Sequence, residues 1–149
     1  AQSIKQHVDF CVGFRPQEIT FVYVKDLVQA VYAAMEKDVL HREFFISDGQ
    51  IYHSTDFSDL VREELGHPFM LRVTAPVWFL RAVCAVSDRI ARLRGKTATL
   101  NRDKFHILCQ RNWQCDIMPA QKELGYRPEY PLARGVKETI AWYKREGWL

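Results

Sequence analysis

Ile19-Thr20-Phe21-Val22-Tyr23-Val24, running into Lys25-Asp26-Leu27-Val28-Gln29-Ala30, is the stretch that decides the fold. Its first half is β-branched and aromatic, which reads as a buried strand ended by Lys25-Asp26. Its second half opens a helix. Asp26 is placed to cap that helix, and Leu27, Val31, Ala34 and Met35, with Val28 and Ala30, form one broad apolar face. A strand leading directly into an amphipathic helix is the basic unit of an α/β protein.

The alternation continues on the C-terminal side. Glu43-Phe44-Phe45-Ile46-Ser47 reads as a second strand closed by the turn dipeptide Asp48-Gly49, with a short return through Ile51-Tyr52-His53. Ser54 or Thr55 then caps a helix with Phe57, Leu60, Val61 and Leu65 on one side, ended by Gly66 and Pro68. Phe69 to Thr74 is a third candidate strand. Pro76 opens a helix that is apolar nearly all the way round from Val77 to Val86 and then turns basic, as expected of a segment with a partner surface. After the loop Arg94 to Thr97, Asn101 caps a short helix with Phe105, Leu108 and Cys109. Trp113 to Asp116 is extended or turn-like, Asp116 and Pro119 start a helix ended by Leu124-Gly125, and Pro131 opens a last helix with the stripe Leu132, Val136, Ile140 and Tyr143. On the N-terminal side, residues 1 to 18 are mixed, with Gly13 and Pro16 marking a turn after a short helix or irregular lead-in. The reading is one helix-rich mixed α/β unit over 1–149.

Composition bounds the function. The 149 residues are 48% hydrophobic and 26% charged, as in an ordinary globular domain. The net charge of +3 is too small to imply a nucleic-acid or membrane partner, and neither is expected. Charge is nevertheless uneven: Arg81, Arg89, Arg92, Arg94, Lys96, Arg102, Lys104 and Arg111 face only Asp88 and Asp103, a local excess of +6 able to attract an anion. A free-standing helical module binding nucleic acid or an acidic partner through this segment is one alternative, although no nucleic-acid motif accompanies it. Cys11, Cys84, Cys109 and Cys115 form no CxxC pair, which reads as reduced thiols in a cytoplasmic protein rather than a metal site.

Motifs of self-sufficient catalysis are missing. The glycines at 13, 49, 66, 95, 125, 135 and 147 are never close enough for a dinucleotide or P-loop fingerprint. There is no GxSxG elbow, no HExxH, and no Tyr followed four residues later by Lys. His53 near Ser54 and Asp56 is too local to form a triad.

What is present resembles the extended short-chain dehydrogenase/reductases, the nucleoside-diphosphate-sugar epimerase and dehydratase group. Phe21-Val22-Tyr23-Val24-Lys25-Asp26-Leu27-Val28-Gln29-Ala30 is similar to that family's aromatic-hydrophobic-His/Tyr-Val-x-Asp-hydrophobic-Ala segment. Phe44 to Gly49 is similar to its YNIGxG strand and turn. Asp116, Ala120, Leu124-Gly125-Tyr126-Arg127-Pro128 and Leu132 to Tyr143 are similar to its ending, with Trp113-Gln114-Cys115 leading in.

The resemblance implies a C-terminal substrate-binding lobe with a few short strands, lacking the N-terminal Rossmann half. It further implies a parent enzyme using NAD or NADP, with no cofactor bound and no catalysis by this stretch alone. Self-association of the isolated stretch is expected where the absent half would lie. The small-molecule substrate of the parent would meet Tyr23, Trp113, Arg102 and Lys104. The parent that the resemblance implies is an epimerase- or dehydratase-like oxidoreductase acting on a nucleoside-diphosphate sugar; family members carry an Arg seven positions before the Asp that corresponds to Asp26, and here that position is Ile19, a departure that opens the alternative of a steroid- or dihydroflavonol-type alcohol dehydrogenase or reductase. Arg15, Arg102 and Lys104 are the alternative cations.

Overall fold

The computed structural model describes residues 8–37, 39–66, 69–93 and 102–149. The elements in order are β1 (Val8–Val12), β2 (Glu18–Ile19), α1 (Val24–Glu36), β3 (Tyr52–His53), α2 (Asp56–Leu65), β4 (Leu71–Ala75), α3 (Val77–Leu93), α4 (Arg102–Cys109), β5 (Asn112–Trp113), α5 (Met118–Leu124) and α6 (Leu132–Arg145). The strands form two small sheets. One pairs β1 with β4 in parallel; the other has the order β3-β2-β5, antiparallel on the first side of β2 and parallel on the second. Helix-rich α/β architecture with few strands is thus observed.

Two clusters hold the fold together. Val61 of α2 meets Leu132, Val136 and Ile140 of α6, with Phe21, Tyr52, Leu60, Leu65 and Tyr143 packed around them. The 3.6-residue period places 132, 136 and 140 on one stripe, and burying such a stripe contributes about 2 kcal/mol per large side chain. Ala30 of α1 meets Ile117, Ala120, Leu124 and Tyr126, with Phe44 and Ile46 against them. Gly66 and Gly125 end α2 and α5 in the left-handed conformation, at φ 72° and 68°, as their places in the sequence require.

Several expectations are corrected. The strand read over Ile19 to Val24 reduces to β2, and α1 begins at Val24. Phe21 has its carbonyl bonded by the Asp48 N–H at 2.8 Å, and the Tyr23 carbonyl already accepts from Leu27 at 3.0 Å, so the segment's bonds go to a turn and a helix rather than to a ladder. Glu43 to Ser47 lies in no strand, because no neighbouring strand flanks it among the described residues. Residues 8–12, read as part of a helical or irregular lead-in, are β1, whose partner β4 lies some sixty positions away in sequence. Neither Asp26 nor Thr55 supplies a side-chain cap; the Asp56 carboxylate instead accepts the His53 N–H at 2.8 Å. The loop 94–97, Asn101 and Pro68 lie outside the described residues.

Candidate functional site

A cavity of about 250 Å³ opens between the extended segment 21–23, α2 and α6. Its wall is Phe21, Val22, Phe57, Val61, Leu132, Val136, Ile140 and Tyr143, with Tyr23, Asp48, Tyr130 and Thr139 as the polar groups. Phe21 stacks on Phe57 with ring centres 5.7 Å apart and meets Tyr52 edge-on at 5.9 Å. Gly135 sits where α6 passes the Tyr23 ring: a Cβ there would lie 2.9 Å from Tyr23 Cδ2. The missing side chain on α6 is therefore what lets Tyr23 lie against the helix and form the wall.

A polar cluster lies beside Tyr23. The Tyr23 hydroxyl donates to Glu138 Oε2 at 3.2 Å, and Lys25 Nζ donates to the same oxygen at 2.6 Å and to the Tyr130 hydroxyl at 3.3 Å. Tyr23 and Tyr130 stack at 4.8 Å, and the Arg134 guanidinium covers the Tyr130 ring at 4.1 Å. The hydrogen bond from Lys25 holds the Glu138 carboxyl below the usual carboxylate range. Burial, and then the bond to Glu138, pushes the Tyr23 phenol up, so at neutral pH it stays protonated and acts as a donor rather than a base.

Buried carboxylates fix the loops around the cavity. Both Asp26 oxygens accept backbone N–H groups, from Glu129 at 3.1 Å and Tyr130 at 3.0 Å, and this fixes the chain just before α6. Asp48 Oδ2 accepts from the Tyr52 hydroxyl at 2.6 Å, which itself accepts the Leu132 N–H at 3.2 Å. Burial and the bond to Asp48 raise the Tyr52 phenol to about 12.

Of the residues singled out in the sequence, Tyr23 lines the cavity. Trp113 is 43% exposed on β5 and is not among the lining residues. Arg102 and Lys104 belong to α4, and their side chains lie outside the described residues. The basic segment is not one continuous free patch, since Arg111 Nη1 donates to the Arg15 carbonyl at 2.8 Å and the guanidinium packs over Gly13. Sequence reasoning missed Phe57, Tyr130, Thr139 and Glu138 as site residues. The signal for two of them was the spacing of Gly135, Glu138 and Thr139, one helical turn apart along α6.

The described residues do not fit a dinucleotide. The glycines at positive φ (13, 49, 66, 125 and 147) stand singly at turns and helix ends, so no run of backbone N–H groups forms a pyrophosphate cradle. No three His, Cys, Asp or Glu side chains among the described residues converge as a metal would need.

No protein-family model matches the chain. A sterol-4-alpha-carboxylate 3-dehydrogenase (decarboxylating) of Schizosaccharomyces pombe is 26% identical over 145 residues, covering 92% of this chain and 42% of the relative. Among solved structures, the UDP-glucose 4-epimerase of Thermotoga maritima with UDP-glucose superposes with a TM-score of 0.67 at 20% identity, over 97% of this chain and 38% of the epimerase. The UDP-glucuronic acid 4-epimerase of Bacillus cereus in complex with NAD gives 0.65 at 14% identity, over 97% and 37%. The chain thus spans about two-fifths of the length of the proteins it matches.

Proposed function

We propose that this chain, which carries the fold of the extended short-chain dehydrogenase/reductases over part of their length, forms the substrate-side wall of an NAD(P)-dependent oxidoreductase whose substrate is an apolar secondary alcohol or ketone. The observation that carries the reading is the cavity's lining: eight apolar and aromatic side chains, and no Lys or Arg. A diphosphate carries charge that such a wall cannot compensate, whereas an apolar ring gains about 25 cal/mol per Å² buried. Ile19 at the position of the family arginine and the sterol-type relative support the same choice.

In this reading Phe21, Phe57 and Val136 exclude water and take one end of the substrate. At about 250 Å³ the cavity is smaller than a site enclosing a whole drug-sized ligand, so the rest of the substrate projects from the open side. Thr139 and Tyr130 offer hydroxyl groups for orientation, while Asp26 and Asp48 keep the loops that frame the wall in place. The cofactor, which supplies hydride transfer when bound, would be held by the rest of the parent enzyme, and the chain alone would not turn over.

A nucleoside-diphosphate-sugar substrate is the second reading. It is favoured by the fold likeness to the epimerases. A thermal-shift screen of the chain separates the two: soluble polycyclic secondary alcohols are expected to raise the melting temperature, and UDP-sugars to leave it unchanged. Stabilisation by UDP-sugars alone would overturn the first reading.

A further inference from the structure

Three polar side chains of the cavity wall have no proton to offer a ligand. The Thr139 hydroxyl donates to the Gly135 carbonyl at 2.7 Å, one turn back along α6, and a carbonyl can only accept. The Tyr23 hydroxyl donates to Glu138 Oε2 at 3.2 Å. Lys25 bonds the same oxygen and holds the carboxyl below its usual range, so Glu138 is ionised and can only accept as well. Asp48, 8% exposed, accepts from the Gln50 N–H at 3.1 Å and the Tyr52 hydroxyl at 2.6 Å. The chemistry of each partner therefore fixes the direction of each bond. Thr139 adjoins the Tyr23 hydroxyl, which puts two oxygens with unused lone pairs side by side on the wall. Tyr130 and Tyr143, the other lining residues with a hydroxyl, donate to no acceptor among the described residues and keep a proton to give.

The balance of bonds selects the ligand. A ketone and a hydroxyl can each accept from Tyr130 or Tyr143, so those phenols do not distinguish the two. At Tyr23 and Thr139 they differ. A ketone gains a bond there only if a hydroxyl leaves Glu138 or Gly135, one bond for another, and the bond that Tyr23 would leave is of the stronger, charge-assisted kind. A ligand hydroxyl donates to either oxygen and breaks nothing. We propose that the end of the substrate enclosed by this cavity carries a neutral hydroxyl, held as a hydrogen-bond donor by Thr139 Oγ1 and Tyr23 Oη. The inference rests on the substrate reading above and narrows its alcohol or ketone to a hydroxyl at the enclosed end. Tyr23 and Thr139 orient that hydroxyl and pass it no proton.

Three probes of one bicyclic skeleton test it: decahydro-2-naphthol, the corresponding ketone and the corresponding methyl ether, titrated into the chain by calorimetry. The alcohol is expected to bind about tenfold more tightly than the ketone or the ether, the worth of about one hydrogen bond. Thr139→Val removes one of the two acceptors and should bring the alcohol-to-ketone ratio down to about threefold, whereas Thr139→Ser keeps the oxygen and should retain the tenfold preference. In T139V/Y23F the ratio should fall to about one. Each ratio is taken within one variant, so partial loss of folding acts on all three probes alike. Equal binding of alcohol and ketone, tighter binding of the ketone or ether, or a preference that survives in T139V/Y23F would overturn the hydroxyl assignment while leaving the apolar substrate reading in place. Binding by none of the three probes would overturn that reading and this inference with it.

Discussion

Asp26 shows how far a single residue's role can be read from its neighbours in sequence. Its place between a β-branched run and an amphipathic helix suggested a cap, yet it is completely buried and holds the Glu129 and Tyr130 amides, more than one hundred positions away. Local sequence marks the residue; only the tertiary fold supplies the partner. Asp26→Ala leaves two amides without an acceptor, and an expected loss of about 3 kcal/mol would appear as a lower urea midpoint. Gly135→Ala tests the approach of Tyr23 to α6. Helix propensity alone would make alanine the better residue by about 1 kcal/mol, but the 2.9 Å contact should reverse the sign and cost about 1–3 kcal/mol by the same assay. Two tyrosines, Tyr126 buried and Tyr52 half-buried, set an alkaline limit. Tyr52 and Tyr126 are each raised to about 12, chiefly by burial, from the usual value near 10, so the folded state holds their protons more tightly. The stability this gives is complete below pH 10 and is lost as pH rises toward 12. Tyr52→Phe and Tyr126→Phe should each flatten that decline in melts recorded across the interval.

Helices were far more legible than strands. The apolar stripes of α2 and α6, and the glycines that end α2 and α5, follow from local periodicity and turn chemistry, and all appear where the sequence puts them. Strands depend on a partner. β1 was hidden because it pairs with β4 across a long sequence interval, and Glu43 to Ser47 has the composition of a strand without, among the described residues, a neighbour to make a ladder. Helix α1 adds a related observation: Leu27, Val28, Val31 and Met35, most of the face predicted to be core, are exposed, and Ala30 is the residue that packs inward. An apolar stripe of this length favours association. The chain is expected to show concentration-dependent self-association by light scattering, and V28E/V31E to shift it toward monomer; a chain monomeric at high concentration would remove this role from α1.

At the scale of the molecule, the order and spacing of weak motifs between residues 19 and 143 carried the resemblance to extended short-chain dehydrogenase/reductases, and the superpositions bear out the fold that it implied. The cavity was legible only in part. Tyr23 came from the motif that carries the resemblance, whereas Phe57, Tyr130 and Thr139 come together only when α2 and α6 pack. In the proposed reading the described residues offer a substrate wall without a phosphate cradle. That division of labour can be read from one titration, in which the backbone amide resonances of the chain are followed by nuclear magnetic resonance while a soluble polycyclic secondary alcohol, UDP-glucose and NAD are added in separate series. The alcohol should move the amides of Phe21, Phe57, Val136 and Thr139 and leave those of β5 in place, with UDP-glucose and NAD moving neither set. Saturable shifts with NAD or UDP-glucose, and none at the cavity with the alcohol, would mean that the wall described here serves a different ligand.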